Sequence, residues 1–118
     1  MVMPLPLEKM KAAHELLVEY EYEMRPVVHG YANRTLHINL ETKEIGEKPV
    51  TQQMKDLFTG GRGFGLKLLW DAVTPETKWD DPENALVIAN GPICGTTAYA
   101  GSGKATVVTL SPLTLNVV

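Results

Sequence analysis

Between Gly95 and Lys104 the chain reads GTTAYAGSGK, where hydroxyl side chains, glycines and a single cation crowd together. Gly91, Gly95, Gly101 and Gly103 carry no Cβ to hold a ligand away, so backbone N–H groups can approach an anion closely. Thr96 and Ser102 add hydroxyls, and Lys104 closes the run with a positive charge. Such a donor set suits a phosphate. The same composition also serves a plain tight connection between strands, and the residues by themselves leave both readings open. Arg62, between Gly61 and Gly63, is a second cation in a glycine-rich setting. Its guanidinium suits an anion near a helix N-terminus, or equally a neighbouring carboxylate. The common nucleotide loops do not fit. GxxxxGK[ST] would need glycine at Ala98 and a hydroxyl at Ala105, and GxGxxG fails because Gly101-Ser102-Gly103 runs on into Lys104-Ala105-Thr106.

The remaining reactive side chains carry less. His29 and His37 have no second ligand at metal-binding spacing, and each reads as a surface or half-buried histidine. Asp80, Asp81 and Glu83 flank Pro82 in a turn, where carboxylates are solvated or cap backbone rather than share acid–base work.

Certain elements must position these groups. The loop leaves an apolar run, Ala85–Ala89, and enters a β-branched one, Thr106–Leu110, which predicts strand, loop, strand. Residues 33–40 alternate, with Leu36, Ile38 and Leu40 on one face, and a return strand over 44–47 completes a hairpin. Thr51 opens a short helix with Val50, Met54, Leu57 and Phe58 on one side. Thr59-Gly60-Gly61 breaks it, and a second helix follows with a stripe of Phe64, Leu68, Leu69, Ala72 and Val73. Trp70, at helical spacing from Leu66, is assigned to the core, and Trp79 to covering a loop. Leu7 to Met24 has apolar residues at steps of three and four, bounded by Pro4 and Pro6 in front and Pro26 behind, which predicts an amphipathic helix with an acidic outer face or a partner-docking stripe. Residues 74–84 form a surface connection, and Leu115–Val118 begins another β-like run that looks unfinished. The fold class expected is α+β, a mainly antiparallel β framework with three helices.

With 118 residues there is room for one modest core. A net charge of −3 gives no global attraction to nucleic acid or to an anionic membrane, so any anion site is local. No apolar run reaches the length of a membrane span, and the N-terminus lacks signal-peptide order. The single cysteine excludes an internal disulfide and a four-cysteine cluster within the chain, and fits a reducing cytoplasm.

Four blocks in order, GYANRTLHINLETKEI, LFTGGRGFGLKLLWDAV, DDPENALVIANGPICGTTAYAGSGK and VVTLSPLT, resemble the amino-terminal region of the aldehyde:ferredoxin oxidoreductase family. The resemblance runs from Gly30 to the last residue. It implies an N-terminal helical extension over 1–29 and an incomplete pterin-cofactor-binding domain over 30–118. The implied cofactors are a tungsten (or molybdenum) bis-pyranopterin and a [4Fe–4S] cluster whose cysteines lie outside this chain. The implied reaction is oxidation of an aldehyde to a carboxylic acid, with electrons passed to ferredoxin or a similar carrier. The implied partners are the aldehyde, that carrier and the remainder of the enzyme chain, in a homo- or hetero-oligomer. By the same resemblance Lys104, where many relatives have arginine, contacts the pterin phosphate region, with Gly101, Ser102 and Gly103 in the same loop and Thr96 and Arg62 as further cofactor contacts. The resemblance implies no catalytic residue and no metal ligand within the chain, and by it Cys94, where relatives use no metal ligand, is a small buried residue. A class II benzoyl-coenzyme A reductase-like subunit and a stand-alone, non-catalytic module binding a phosphate ligand or a partner are the alternatives.

Overall fold

A computed structural model describes residues 6–98 and 100–118; Pro4 and Tyr99 lie outside them. Helix α1 (Leu7–Ala12) is followed by a long stretch without regular structure, then by strands β1 (Arg34–Asn39) and β2 (Glu44–Pro49). These two pair antiparallel, with Ile38 opposite Ile45 and His37 opposite Gly46. The turn between them forms because Asn39 Oδ1 accepts the N–H groups of Glu41 and Thr42, each at 3.0 Å, so a side chain does the work of a backbone acceptor. The expected hairpin is therefore present.

Helix α2 (Gln52–Phe58) starts where Thr51 Oγ1 accepts the N–H of Met54 at 3.1 Å, satisfying one donor that the first turn leaves free. After the glycine break comes α3 (Arg62–Ala72). Strands β3 (Val87–Ala89) and β4 (Thr106–Val108) then pair antiparallel with Ile88 opposite Val107. Helix α3 packs on both of them and α2 packs on α3. The core sits there: Phe64, Leu69 and Val108 are the buried apolar side chains among the described residues. Gly65 lets the helix approach this closely, since a Cβ on it would stand 2.4 Å from Val108 Cγ2. Beyond β4, Thr109 and Val118 exchange N–H···O bonds of 3.1 and 3.0 Å, which makes the terminal residues a narrow antiparallel return. Asn84 ties the 74–84 connection to that return: its Oδ1 accepts from Leu110 N and Thr109 Oγ1, both at 3.2 Å. Asp81 accepts the N–H of Lys78 at 2.7 Å, a turn-capping role.

Two expectations are corrected. The helix over Leu7–Met24 is helical only to Ala12. No residue of α1 is buried, and an isolated helix of that length is marginal in water. Residues 20–25 instead lie along the hairpin, held by two side chains from it. Arg34 donates to Glu23 O at 2.9 Å, stands 5.7 Å over the Tyr22 ring and pairs with Glu47 at 2.7 Å, while Arg25 reaches Glu47 at 3.5 Å. Trp70 is not core but 80% exposed. With Phe64, Gly65 and Leu69 turned to the sheet, Leu66 and Trp70 share a different face of α3.

Leu69 is 1% exposed and Ile88 67%. Leu69→Ala is therefore expected to cost about 2–5 kcal/mol, and Ile88→Ala less than about 1 kcal/mol, in urea unfolding of the protein. The Glu47 carboxyl is a second test. Burial raises its pKa, but the hydrogen bond and charge of Arg34, the Tyr20 hydroxyl and Arg25 outweigh this and hold it below the ordinary 4.5. A folded value below the unfolded one contributes stability above pH 4.5 that is lost as pH falls through the lowered value. The Arg34 guanidinium should show restricted rotation by NMR at neutral pH and lose it on acidification. Glu47→Gln should show the loose state at every pH.

Candidate functional site

Two irregular segments meet at the edge of the core. The first is the hinge between α2 and α3. Thr59 (φ 61°) and Gly61 (φ 51°) both adopt left-handed backbone there, which turns the chain sharply enough for α3 to start beside the end of α2. The second is the segment leaving β3. Gly61 N donates to Asn90 O at 3.0 Å, so the hinge is stitched to the first residue of that segment. Arg62, the first residue of α3, projects as an exposed side chain and has no acidic partner among the described residues.

The connection from β3 to β4 is built by its own short-range bonds. Cys94 N donates to Gly91 O at 3.0 Å, Thr96 N to Ile93 O at 3.3 Å, and Gly95 N to Ser102 O at 3.0 Å. Ser102 Oγ donates to Thr96 O at 2.7 Å, and Thr96 Oγ1 accepts the N–H of Ala98 at 3.2 Å. The Cys94 thiol lies 3.3 Å from Lys104 O and is half-buried rather than fully buried. The hydroxyls of Thr96 and Ser102 thus hold the loop's own shape.

What remains for a ligand is backbone and charge. Among the described residues the N–H groups of Gly101, Gly103 and Lys104 have no acceptor, while Ser102 N closes the turn over 100–101. A Cβ placed on Gly91, Gly95, Gly101 or Gly103 would meet nothing within 4 Å, so the surface there is open. Lys104 is exposed and makes no ion pair with a described residue. Free donors, an open face and a lone ammonium form a cradle that fits a phosphate ester.

The structure thus brings Thr96, Gly101, Ser102, Gly103 and Lys104 onto one loop, and sets Arg62 on the neighbouring hinge without a hydrogen bond to that loop. Sequence reading missed Asn90, the acceptor that joins the two, and Tyr31, whose hydroxyl donates to Thr59 O in the hinge at 2.5 Å. The only signal for Tyr31 was its place at the head of the first block. The described residues contain no group of three His, Cys, Asp or Glu side chains able to hold a metal, and no helix long and apolar enough to cross a membrane. His37 bonds to Thr35 Oγ1 at 3.2 Å, and burial together with Lys48 lowers its pKa. A cavity of about 460 Å³ lies between α2 and α3, lined by Phe58, Leu66, Lys67, Trp70 and Asp71. None of these is a loop residue, and the cavity offers no anion-binding donor set.

An antiparallel strand pair joined by an open loop of glycines and hydroxyls, and backed by one helix, defines an α+β domain. Residues 35–118 match the family described as aldehyde ferredoxin oxidoreductase, N-terminal domain, and the chain belongs to that family. It is similar to the tungsten-containing aldehyde ferredoxin oxidoreductase of Pyrococcus horikoshii, 38% identical over 85 residues, covering 72% of this chain and 14% of the relative. The aliphatic sulfonate oxidoreductase, WOR-like subunit, of Pyrococcus furiosus is 30% identical over 88 residues, again 72% of this chain and 14% of the relative. Among solved structures, the active site complex BamBC of benzoyl coenzyme A reductase with 1,5-dienoyl-CoA superposes with a TM-score of 0.70 at 33% identity, over 75% of this chain and 13% of that one. The chain spans about 14% of the length of the curated relatives it matches.

The glycines separate into two kinds that a stability measurement distinguishes. A Cβ on Gly63 would stand 2.1 Å from Phe58 O, so Gly63→Ala is expected to destabilise by about 1–3 kcal/mol or more, because backbone must move. A Cβ on Gly103 faces open space. Gly103→Ala should leave the urea midpoint within the scatter of surface substitutions, about 0.5 kcal/mol.

Proposed function

We propose that this chain is the cofactor-seating N-terminal part of a tungsten–pterin oxidoreductase that converts aldehydes to carboxylic acids and passes electrons to a ferredoxin-type carrier in the cytoplasm. The observation that carries the reading is the open loop, in which the N–H groups of Gly101, Gly103 and Lys104 and the Lys104 ammonium have no partner among the described residues. Family membership supplies the ligand: relatives named as tungsten-containing share this stretch of sequence.

In this reading the N–H groups of Gly101 and Gly103 hold the pyranopterin phosphate through its oxygens, and Lys104 neutralises its charge as a point cation. Thr96 and Ser102 act one step back, keeping the loop in the shape that aims those donors. Arg62 adds positive potential from the hinge. When bound, the group would supply the redox chemistry of aldehyde oxidation, with electrons leaving through a [4Fe–4S] cluster ligated outside this chain. No residue of this chain acts as acid, base or nucleophile; its task is to bind and orient.

The choice of aldehyde over another substrate rests on the nearer relatives. Relatives that match this same stretch include an aliphatic sulfonate oxidoreductase subunit and a benzoyl coenzyme A reductase, so the seat is common to different reactions and does not select among them. A stand-alone binding module is the weaker reading because of the surface. The chain exposes 9927 Å², where a compact protein of its 13.0 kDa exposes roughly 6,300 Å². Much of that surplus is apolar, including Leu57, Leu66, Trp70, Leu113 and Leu115.

In the full-length oxidoreductase, Lys104→Ala is expected to lower tungsten and pterin bound per subunit by roughly tenfold, the loss of one charge-assisted contact. Lys104→Arg should retain them. Unchanged metal and pterin content in Lys104→Ala would refute the assignment.

A further inference from the structure

Three segments distant in sequence converge where the hinge meets the β3–β4 connection. The first is the tight turn over 28–31, closed by paired bonds of 3.0 Å between Val28 and Tyr31. The second is the hinge, Thr59–Gly61, and the third is Asn90–Pro92. Backbone contact joins each to the next: Gly30 lies so near Pro92 that a Cβ would stand 1.8 Å from its carbonyl oxygen, Gly60 faces Pro92 Cδ, and Gly61 N bonds to Asn90 O at 3.0 Å. One side chain links the first segment to the second. Tyr31 reaches across the junction, its ring stacked on Phe64 at 6.2 Å and covered by Lys55 Nζ at 5.0 Å, with its hydroxyl donating to Thr59 O at 2.5 Å. Lys55 in turn donates to Asn33, which fixes the ring from the far side.

We infer that Tyr31 is a positioning residue for the loop: by holding the Thr59 carbonyl it keeps Gly61 N aimed at Asn90 O, and so sets where the β3–β4 connection leaves the core. The physical reason lies in Thr59. A non-glycine residue at φ 61° and ψ −56° is held against its own preference, so the hinge requires an external tie to keep that geometry. The Tyr31 hydroxyl is the side-chain donor that the structure gives Thr59 O among the described residues. Tyr31 precedes the stretch matched by the family, residues 35–118, and touches no loop residue from Gly95 to Lys104 through a hydrogen bond. It acts only through the hinge. The inference rests on the reading of that loop as the cofactor seat.

The test is hydrogen–deuterium exchange on the protein expressed from its natural reading frame, with Tyr31→Phe, which removes the hydroxyl and keeps the stacked ring. Exchange is expected to rise about fivefold to tenfold at Gly61, Cys94 and Gly95, whose acceptors are Asn90, Gly91 and Ser102, since one lost hydrogen bond shifts a local opening by that factor. The β1–β2 hairpin amides should not change. Faster exchange confined to Gly61, or spread evenly over the chain, would mean a local or merely structural tie and overturn the inference, as would no change at all. Tyr31→Leu, which also removes the ring, serves as the control for loss of packing: its effect should extend to the α3 amides around Phe64, and an effect of Tyr31→Phe on those same amides would count against positioning. Pyrophosphate titration of the unsubstituted protein is read separately. Absence of binding there would sink the anion-seat reading, while the exchange pattern still decides the role of Tyr31.

Discussion

The bond from Gly61 N to Asn90 O is the contact on which the arrangement turns. It joins the helical half of the chain to the strand half at the point where both are irregular. Without it α3 would still have an apolar face to lay on β3 and β4, because that packing depends on Phe64, Leu69 and Val108. The hinge and the loop, however, would lose their common reference. Glycine is favoured at this bond because of φ 51° at Gly61, which an L side chain adopts only at a cost of roughly 1 kcal/mol or more. The local strain and the long-range contact thus coincide, a pattern expected where backbone geometry serves a site rather than the core.

The parts of this fold that could be read from the sequence are those with a period or a punctuation mark. The hairpin follows from alternation over 33–40, the α2 boundary from Thr51, the hinge from two adjacent glycines, and the β3–β4 pair from β-branched runs around a glycine-rich loop. The membership of Thr96, Ser102 and Lys104 in one loop was visible for the same reason. Their division of labour was not: both hydroxyls bond within the loop itself, a local contact that residue type and spacing do not specify. Tyr31 was hidden because its partner, Thr59, is 28 residues away and offers a backbone carbonyl, which leaves no trace in side-chain pattern. Trp70 misled because helical spacing says which residues share a face, not which face meets the sheet.

The N-terminal segment shows the same limit from the other direction. Leu7, Met10, Ala13, Leu17, Tyr20 and Met24 keep a helical period, yet periodicity stabilises a helix only if its stripe is buried. Residues 13–24 are exposed among the described residues, and a competing arrangement does exist. Arg34 stacks on Tyr22, bonds to Glu23 O and pairs with Glu47, so one guanidinium satisfies an aromatic face, a carbonyl and a carboxylate at once. Those contacts need residues 20–25 extended along the hairpin. A helix through Tyr20 to Met24 would tie up the Glu23 carbonyl within its own turn and draw Tyr22 off the guanidinium.

The surface carries the last step. A radius of gyration of 17.0 Å against roughly 13–14 Å for a compact chain of this length, together with the surplus exposed area, describes a framework rather than a closed globule. Its apolar side chains fall on definite faces. Leu57, Leu66 and Trp70 lie on the α2–α3 side, while Trp79 and Leu115 border a small cavity beside the terminal return. At about 25 cal/mol per Å², several hundred Å² of such surface left in water forgoes several kcal/mol, comparable to the whole stability of a small domain. A loop carried on such a base gains rigidity when those faces are covered. The loop's own hydrogen bonds define the shape of the cradle, and burial of the surrounding faces is what can hold that shape against thermal opening.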